Sequence, residues 1–236
     1  MQTHLPPDYA LHDATYLRLR ERDALGWDAE ADGYTEMLSR VVPVLPALVK
    51  GNPQQILEMG CGAGNLSVLL AQRGYSVSGV DIAPTAIDWA TERAIANGVT
   101  AQFRVDNVLT LTTSADASMD VVVDGHCLHC IIGDDRACCL AAALRVLKPG
   151  GVFVVLTMCG DVTNPRMLET FDPATRTTVH AGRPTRYIGD ATSIVAEVAA
   201  AGFLVSKMQV IPRKDVNDLD DLVVYAVKPE ARTDSK

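Results

Sequence analysis

Short aliphatic runs alternate with segments in which apolar residues recur every three or four positions from residue 55 onward. The aliphatic runs predict strands, and the segments between them predict helices. The strands predicted in this way are 55–59, 76–80, 101–105, 120–124 and 152–156. Strands that are apolar on both faces and alternate with helices indicate a parallel sheet covered on both sides. With 203–211 and 222–227 as a C-terminal antiparallel β-hairpin, we expect an α/β fold with a doubly wound, mostly parallel, seven-stranded sheet.

The first fifty residues have a different pattern. Apolar and aromatic residues between positions 9 and 49 recur at helical spacing, with a break at Gly26–Asp28. We therefore expect residues 1–50 to form an N-terminal helical lid on a Rossmann-like domain, residues 51–236. Within that domain, residues 157–189 lack clean periodicity, and we interpret them as an insertion.

Composition narrows the classes of partner. The chain has 236 residues, 48% of them apolar, and a formal net charge of −8. This acidic balance argues against a nucleic acid as partner, and no apolar stretch approaches the roughly 18 residues that span a membrane. The first residues lack the basic segment followed by an apolar run that is typical of a secretory signal. Together with six cysteines interpreted as reduced thiols, these features predict a cytoplasmic protein.

A glycine-rich turn, Glu58–Asn65, follows the first predicted strand. Its glycines at 60, 62 and 64 allow a ligand to approach the backbone closely. The last position of the dinucleotide fingerprint falls on Asn65, which disfavours a nicotinamide dehydrogenase. Asp81 ends the second strand, where a carboxylate can accept hydrogen bonds from ribose hydroxyls, and Asp106 ends the third, where it can accept from an adenine amine. Together these positions predict an adenosine-binding cradle.

The chain resembles the class I S-adenosylmethionine-dependent methyltransferases over roughly residues 54–228. The segments that carry the resemblance are Ile56–Gly64, Val80–Asp81, Val105–Asp106, Val121–Asp124 and Leu147–Gly151. It implies S-adenosylmethionine as cofactor, in-line methyl transfer to a small molecule, and a structural turn at 148–151. The cofactor-binding residues that it implies are Glu58 near the ammonium group, Gly60, Cys61, Gly62 and Gly64 in the turn, Asp81 at the ribose, Ile82 against adenine, and Asp106 with Asn107 at the adenine amine; Asp124, at the end of the fourth strand, is a further candidate.

The fourth strand leads into the unusual sequence DGHCLHC, residues 124–130. In the family that the chain resembles, residues after this strand lie next to the reacting centre. His126 and His129 are therefore candidates for orienting or deprotonating the methyl acceptor, unless they pack the loop, and Tyr16 in the lid is a third catalytic candidate. The two histidines and the neighbouring cysteines also have the chemistry of zinc ligands. Because no second Cys-x-x-Cys pair lies at ligand spacing, we expect no metal.

Acceptor specificity is expected to come from the lid and the insertion. Tyr9 in the lid and Arg176, Arg186 and Tyr187 in the insertion are candidate substrate-binding residues. Arginines suit carboxylates and phosphates, which predicts a small anionic metabolite. Two alternatives remain open: the same cofactor consumed in intramolecular cyclisation or elimination, and a non-catalytic nucleoside-binding or regulatory module. The amino-terminal helices also offer a surface for a homodimer.

Overall fold

The structure is a computed structural model that describes residues 5–27, 31–47 and 54–230. The predicted boundary between lid and sheet domain, at residues 50 and 51, lies outside these ranges, as do the first four residues. The described N-terminal part contains two helices, α1 (Leu11–Arg20) and α2 (Ala31–Val41), and a short 3-10 turn, Val42–Val44. The expected helix–break–helix pattern is thus present, with a bend ahead of α2.

A seven-stranded sheet follows. Its strands are β1 (Gln55–Met59), β2 (Ser76–Asp81), β3 (Ala101–Val105), β4 (Met119–Gly125), β5 (Leu147–Cys159), β9 (Leu204–Ile211) and β10 (Asp220–Val227). They are ordered β3-β2-β1-β4-β5-β10-β9. The first five pair in parallel, whereas β10 is antiparallel to both β5 and β9. The predicted fold class is confirmed.

Helices cover both faces of this sheet. They are α3 (Asn65–Ala71), α4 (Pro84–Ala96), α5 (Asp135–Val146) and α7 (Ala191–Ala200). Neighbouring strand residues point to opposite faces, so Ile56 packs into one core with α2 and α3, while Leu57 packs into the other with α5 and α7. Because both side chains are fully buried, adjacent apolar residues rather than alternating ones mark this strand in the sequence.

The start of β5 differs from the prediction. Residues 148–151 were expected to form a turn, but β5 already begins at Leu147, which pairs with Met119. Lys228, just beyond β10, accepts a hydrogen bond from Gly150 N and donates one to Gly151 O, both 2.9 Å long. The α5 helix ends at Val146, and the backbone from Leu147 through the two glycines finds partners and forms the start of the strand.

The insertion also has regular structure. It contains α6 (Pro165–Leu168) and a three-stranded antiparallel sheet of β6 (Phe171–Asp172), β7 (Thr177–His180) and β8 (Arg183–Tyr187). These strands are short and rich in threonine and arginine, so they carry no apolar alternation from which to predict them. Two contacts join this sheet to the N-terminal segment: Leu5 N donates to Gly182 O, and Arg183 Nη1 donates to Pro6 O.

The helices of the predicted lid contact the sheet domain through both α1 and α2. Asp13 on α1 accepts a hydrogen bond of 2.8 Å from Thr85 N at the start of α4, and Arg20 forms an ion pair with Glu92 further along the same helix. The α2 helix buries Val41 completely in the core beside β1. Among the described residues, no helix has the length and apolarity needed to cross a membrane.

Candidate functional site

A cavity lies where the strands β1, β2 and β4 end, and α1 closes one side of it. Eleven of the residues predicted for the site line it: Tyr9, Tyr16, Glu58, Gly60, Cys61, Gly62, Asp81, Ile82, Asn107, His126 and His129. These residues come from the lid, the glycine turn, the ends of β2 and β3, and the segment after β4. The fold therefore brings together, at one edge of the sheet, residues that are more than a hundred positions apart.

The glycine turn is packed on two sides. Gly60 and Gly62 have φ angles of +65° and +51°, a conformation that favours glycine. A Cβ atom at Gly60 would lie 2.5 Å from Cys127 Cβ, and one at Gly62 would lie 2.5 Å from Tyr16 Oη. The absence of these side chains lets both the lid and the loop after β4 close onto the turn.

Asp81 is held at the end of β2 by the backbone. Its Oδ2 accepts from Gly62 N and its Oδ1 accepts from Ala83 N, each at 2.9 Å. Burial raises the pKa of this carboxyl to about 6, against the opposing effect of these hydrogen bonds. Each oxygen has a second lone pair, so the group can still accept two hydrogen bonds from a ligand in the cavity.

Glu58 is a carboxyl group without a cationic partner in the described contacts. Ser67 Oγ donates to its Oε2 at 2.5 Å, and burial raises the pKa of Glu58 to about 8, with smaller contributions from Asp81 and Asp124. Its Oε1 lies where a Cβ of Gly125 would approach within 2.8 Å. A buried carboxyl that lines a cavity and gains a cation on ligand binding suits an ammonium group.

Asp106 does not line the cavity. Its two oxygens accept hydrogen bonds from Asn107 N, from Thr112 Oγ1 and from both N and Oγ1 of Thr113. Burial alone would raise the pKa of Asp106, but these bonds outweigh it and the pKa is lowered. The carboxylate therefore organises its own loop, and it is Asn107 and Val108 that border the cavity.

Asp124 and Gly64 also lie outside the cavity lining. Asp124 Oδ1 accepts from the backbone N–H groups of Cys127 and Leu128, and so caps the 3-10 turn Leu128–Cys130. Burial raises the pKa of Asp124 to about 7. Gly64 has a φ of +74° and its α-carbon faces Ala90 of α4. Both residues shape the segments that carry the site.

His126 and His129 both line the cavity, with ring centroids 5.8 Å apart. His126 has a φ of +64°, and its Nε2 lies 3.6 Å from Asp221 Oδ1. His129 is buried, and its Nδ1 has no hydrogen-bond partner among the described residues. Burial, together with the charges of His126 and Arg186, holds the pKa of His129 well below its usual range, so this imidazole is neutral at physiological pH.

Two of the four predicted substrate-binding residues reach the cavity region. Tyr9 lines it, and its Oη donates to Asp135 Oδ2 at 2.8 Å. Arg186 lies beside it, with its guanidinium 5.8 Å from the ring centroid of Trp27, a lining residue. Arg186 Nε has no partner among the described residues.

The structure does not bring Arg176 and Tyr187 into the cavity lining. The guanidinium of Arg176 donates to the backbone carbonyls of Ile188 and Gly160. The ring of Tyr187 packs against the guanidinium of Arg136, 4.4 Å from its centroid. Both side chains therefore stabilise the insertion and the helices beside it.

Other lining residues were not predicted. His12, Cys130 and Met158 border the cavity. The signal for His12 is its spacing from Tyr16, because positions four apart in α1 fall on one face of the helix. Burial and the charge of Arg186 lower the pKa of His12. All six cysteines are free, and no group of three metal-ligating side chains is present within the described ranges.

The fold and site define a class of protein. A sheet of this order, with a glycine turn after β1 and an acid at the end of β2, is a Rossmann-like, nucleoside-binding arrangement. Residues 57–155 match the family described as "Methyltransferase domain". This part of the chain is therefore similar to a methyltransferase domain, and the resemblance to the class I S-adenosylmethionine-dependent enzymes is confirmed.

Comparison with individual proteins agrees with the match to the methyltransferase family. The ubiquinone biosynthesis O-methyltransferase of Idiomarina loihiensis is 32% identical over 139 residues, which are 56% of this chain and 55% of that protein. The chain thus spans about half the length of the curated relatives that it matches. A solved S-adenosylmethionine-dependent methyltransferase from Methanosarcina mazei has a TM-score of 0.63 and 26% identity, covering 76% of this chain and 94% of that one.

A third comparison extends the similarity in fold to nearly the whole chain. The 1,6-didemethyltoxoflavin-N1-methyltransferase of Burkholderia thailandensis, solved with 1,6-didemethyltoxoflavin and S-adenosylhomocysteine, has a TM-score of 0.67. The match covers 97% of this chain and 94% of that one at 21% identity. At this identity the similarity concerns the fold alone.

Proposed function

We propose that this protein transfers the methyl group of S-adenosylmethionine to a small acceptor that carries an anionic group. One observation carries the proposal: a single cavity contains two buried acids beside a glycine turn, and two histidines with an arginine nearby. The acids suit a cationic cofactor. The histidines and Arg186 suit an acceptor that loses a proton and bears negative charge.

The residues of the glycine turn fit this cofactor. Glu58 offers a buried carboxyl to the ammonium group, and Asp81 offers two acceptor sites to the ribose hydroxyls. Gly60 and Gly62 both line the cavity, and a side chain at either position would collide with Cys127 or Tyr16. When bound, S-adenosylmethionine supplies an electrophilic methyl group on a positively charged sulfur. The task left to the protein is to hold donor and acceptor in line.

The two histidines have different tasks in this proposal. His129 is buried and neutral, so we assign it a hydrogen bond to the acceptor. His126 is about one quarter exposed and lies near a carboxylate, so we assign it the role of general base. The name of the relative from Idiomarina loihiensis includes O-methylation, which supports testing hydroxyl acceptors first.

The lid favours a small acceptor over a macromolecule. Tyr9 is tied to the loop after β4, since its Oη donates to Asp135 and accepts from Ile132 N at 3.2 Å. Tyr16 is buried against Gly62. A chain with a net charge of −8 also disfavours a phosphate backbone as acceptor. We therefore propose a metabolite that fits wholly beneath the lid.

The cofactor is tested by calorimetric titration with S-adenosylhomocysteine. Loss of two hydrogen bonds in Asp81→Ala is expected to cost about 1.5–3 kcal/mol, or roughly ten- to hundred-fold in Kd. Asp88→Ala, on the exposed side of α4, is the control and is expected to bind normally. Unchanged affinity in a folded Asp81→Ala variant would contradict the assignment of the ribose site.

The acceptor is tested with paired small phenols, with and without a carboxylate, by mass spectrometry of the methylated product. We expect the carboxylated member of each pair to react faster, and Arg186→Gln to remove this preference. Arg166→Gln, in the exposed α6, is the control. Equal rates within every pair would refute the anionic acceptor, whereas cofactor breakdown without any acceptor would favour intramolecular cyclisation or elimination.

A further inference from the structure

The backbone at His126 is held in an unfavourable conformation. Its φ of +64° lies in the left-handed region, which residues with a side chain rarely adopt. The conformation is fixed by its neighbours, since His126 N donates to Leu156 O at 3.0 Å and extends the pairing of β4 with β5. Strain of this kind at a cavity residue persists where the surroundings over-determine it, and such positions cluster at functional sites. This backbone conformation therefore restricts the directions that the His126 side chain can take.

The His126 side chain lies next to Asp221, a residue of β10. Asp221 Oδ1 lies 3.6 Å from His126 Nε2, and Oδ2 accepts from Arg40 Nη1 at 2.8 Å. The Arg40 side chain is mostly buried, and its carbonyl accepts a hydrogen bond from Tyr225 Oη on β10. One carboxylate oxygen is therefore fixed by the arginine, while the other faces the imidazole.

We propose that Asp221 is a positioning residue for His126, and that it keeps the proton of the neutral imidazole on Nε2. This inference rests on the proposed function. With Nε2 protonated, Nδ1 is the basic nitrogen that takes the proton of the acceptor hydroxyl. As the bond from the acceptor oxygen to the methyl carbon forms, the sulfur–methyl bond breaks and its electron pair stays on sulfur. Asp221 then faces an imidazolium, which loses its proton to water.

The surroundings of His126 support this division of roles. His129 faces it from the 3-10 turn but is neutral. Glu58 lies behind the neighbouring Gly125, and Arg40 lies on the far side of Asp221. Asp221 is the carboxylate whose ion-pair contact with His126 is observed among the described residues. At 3.6 Å the contact is longer than a hydrogen bond, and contacts between a base and its orienting carboxylate tighten in the substrate complex.

The test is nitrogen NMR of the histidine-labelled protein saturated with S-adenosylhomocysteine, which needs no acceptor. The signals of His126 are assigned by their loss in His126→Gln. In the native protein we expect neutral His126 to carry its proton on Nε2. In Asp221→Asn this preference is lost and the titration midpoint falls by roughly half a unit to one unit, because a nearby carboxylate favours imidazolium. Asp221→Glu restores both in part.

Asp218→Asn removes one negative charge from the exposed connection before β10 and is the matched control. We expect it to leave both His126 signals unchanged. A native His126 with its proton on Nδ1 overturns the proposal, whether or not any variant folds. The proposal is also overturned if the native protein and Asp221→Asn show the same proton position and the same titration midpoint for His126. Failure of the native protein to bind S-adenosylhomocysteine in the same samples is a separate result, and it refutes the proposed function instead.

Discussion

Binding of the cofactor is expected to release a proton from Glu58. Burial raises the pKa of this carboxyl to about 8. At pH 7 about nine in ten molecules therefore carry the proton on Glu58 before the ligand binds. A cationic ammonium group beside the carboxylate favours the ionised form and lowers the pKa.

The magnitude follows from the expected change in pKa. If the ammonium brings the pKa of Glu58 from about 8 to about 6, the protonated fraction at pH 7 falls from roughly 0.9 to roughly 0.1. About 0.8 proton is then released for each ligand bound. A change of two units corresponds to about 2.7 kcal/mol of coupling between the ammonium and the carboxylate.

Calorimetric titration measures this release directly. S-adenosylmethionine is titrated at pH 7 in phosphate and in Tris, whose ionisation heats differ, and the dependence of the binding enthalpy on buffer gives the number of protons. Glu58→Gln has no proton to lose and is expected to remove most of the buffer dependence. Glu169→Gln, an exposed substitution just after α6, is expected to retain it.

The result that refutes this reasoning is tight binding with no buffer dependence in the native protein. Such a result means that the ligand cation lies away from Glu58, or that Glu58 is already ionised before binding. Buffer dependence that survives unchanged in Glu58→Gln assigns the proton to another group. Asp124 is the other candidate, because burial raises its pKa to about 7.

Two further predictions concern stability in urea. A Cβ at Gly62 would meet Tyr16 Oη at 2.5 Å, and the backbone there is left-handed. Gly62→Ala should therefore lower the free energy of unfolding by about 1–2 kcal/mol or more, and adding Tyr16→Phe should recover part of the loss. An unchanged free energy of unfolding in Gly62→Ala contradicts this prediction. The raised pKa values of Glu58 and Asp124 mean that the folded state retains protons, so their stabilising contribution is present below about pH 4 and is lost as pH rises through 7 and 8. His12 and His129, with lowered pKa values, add stability mainly as pH rises to about 7 and only little beyond it. The unfolding free energy should therefore fall by about 1–2 kcal/mol between pH 7 and 8.5, and fall less in Glu58→Gln; a rise over this range refutes the argument.

The centre of the sheet could be predicted because its strands are buried on both faces. In β4, for example, the consecutive residues Val121, Val122 and Val123 are all fully buried, and this leaves a run of aliphatic residues in the sequence. The glycine turn and Asp81 were also predictable, since a positive φ demands glycine and the strand order fixes where the acid falls. Backbone geometry determines these features, and backbone geometry constrains residue type.

Other features could not be predicted, because they depend on where a polar side chain turns. Asp81 and Asp106 both end parallel strands, yet Asp106 is satisfied by the threonines at 112 and 113 of its own loop. Arg176 and Arg186 lie in the same insertion, but the guanidinium of Arg176 donates its hydrogen bonds to two backbone carbonyls. Residue type and position alone do not distinguish a side chain that organises a loop from one that faces a ligand.

The position of Arg186 explains how acceptor selection can be separated from cofactor binding. Glu58 and Asp81 both belong to the seven-stranded sheet. Asp81 raises the pKa of Glu58, and both acids raise the pKa of Cys61. Arg186 belongs to β8 of the insertion, and its charge acts on His12 of the lid and His129 of the loop after β4. Under the proposed function, Glu58 and Asp81 hold the cationic donor and Arg186 attracts the anionic acceptor, at different places within one cavity. Because the insertion contacts the N-terminal segment at Pro6 and Gly182, changes at these contacts should alter acceptor preference. Changes at Tyr16, which packs on Gly62, should alter the affinity for the cofactor as well.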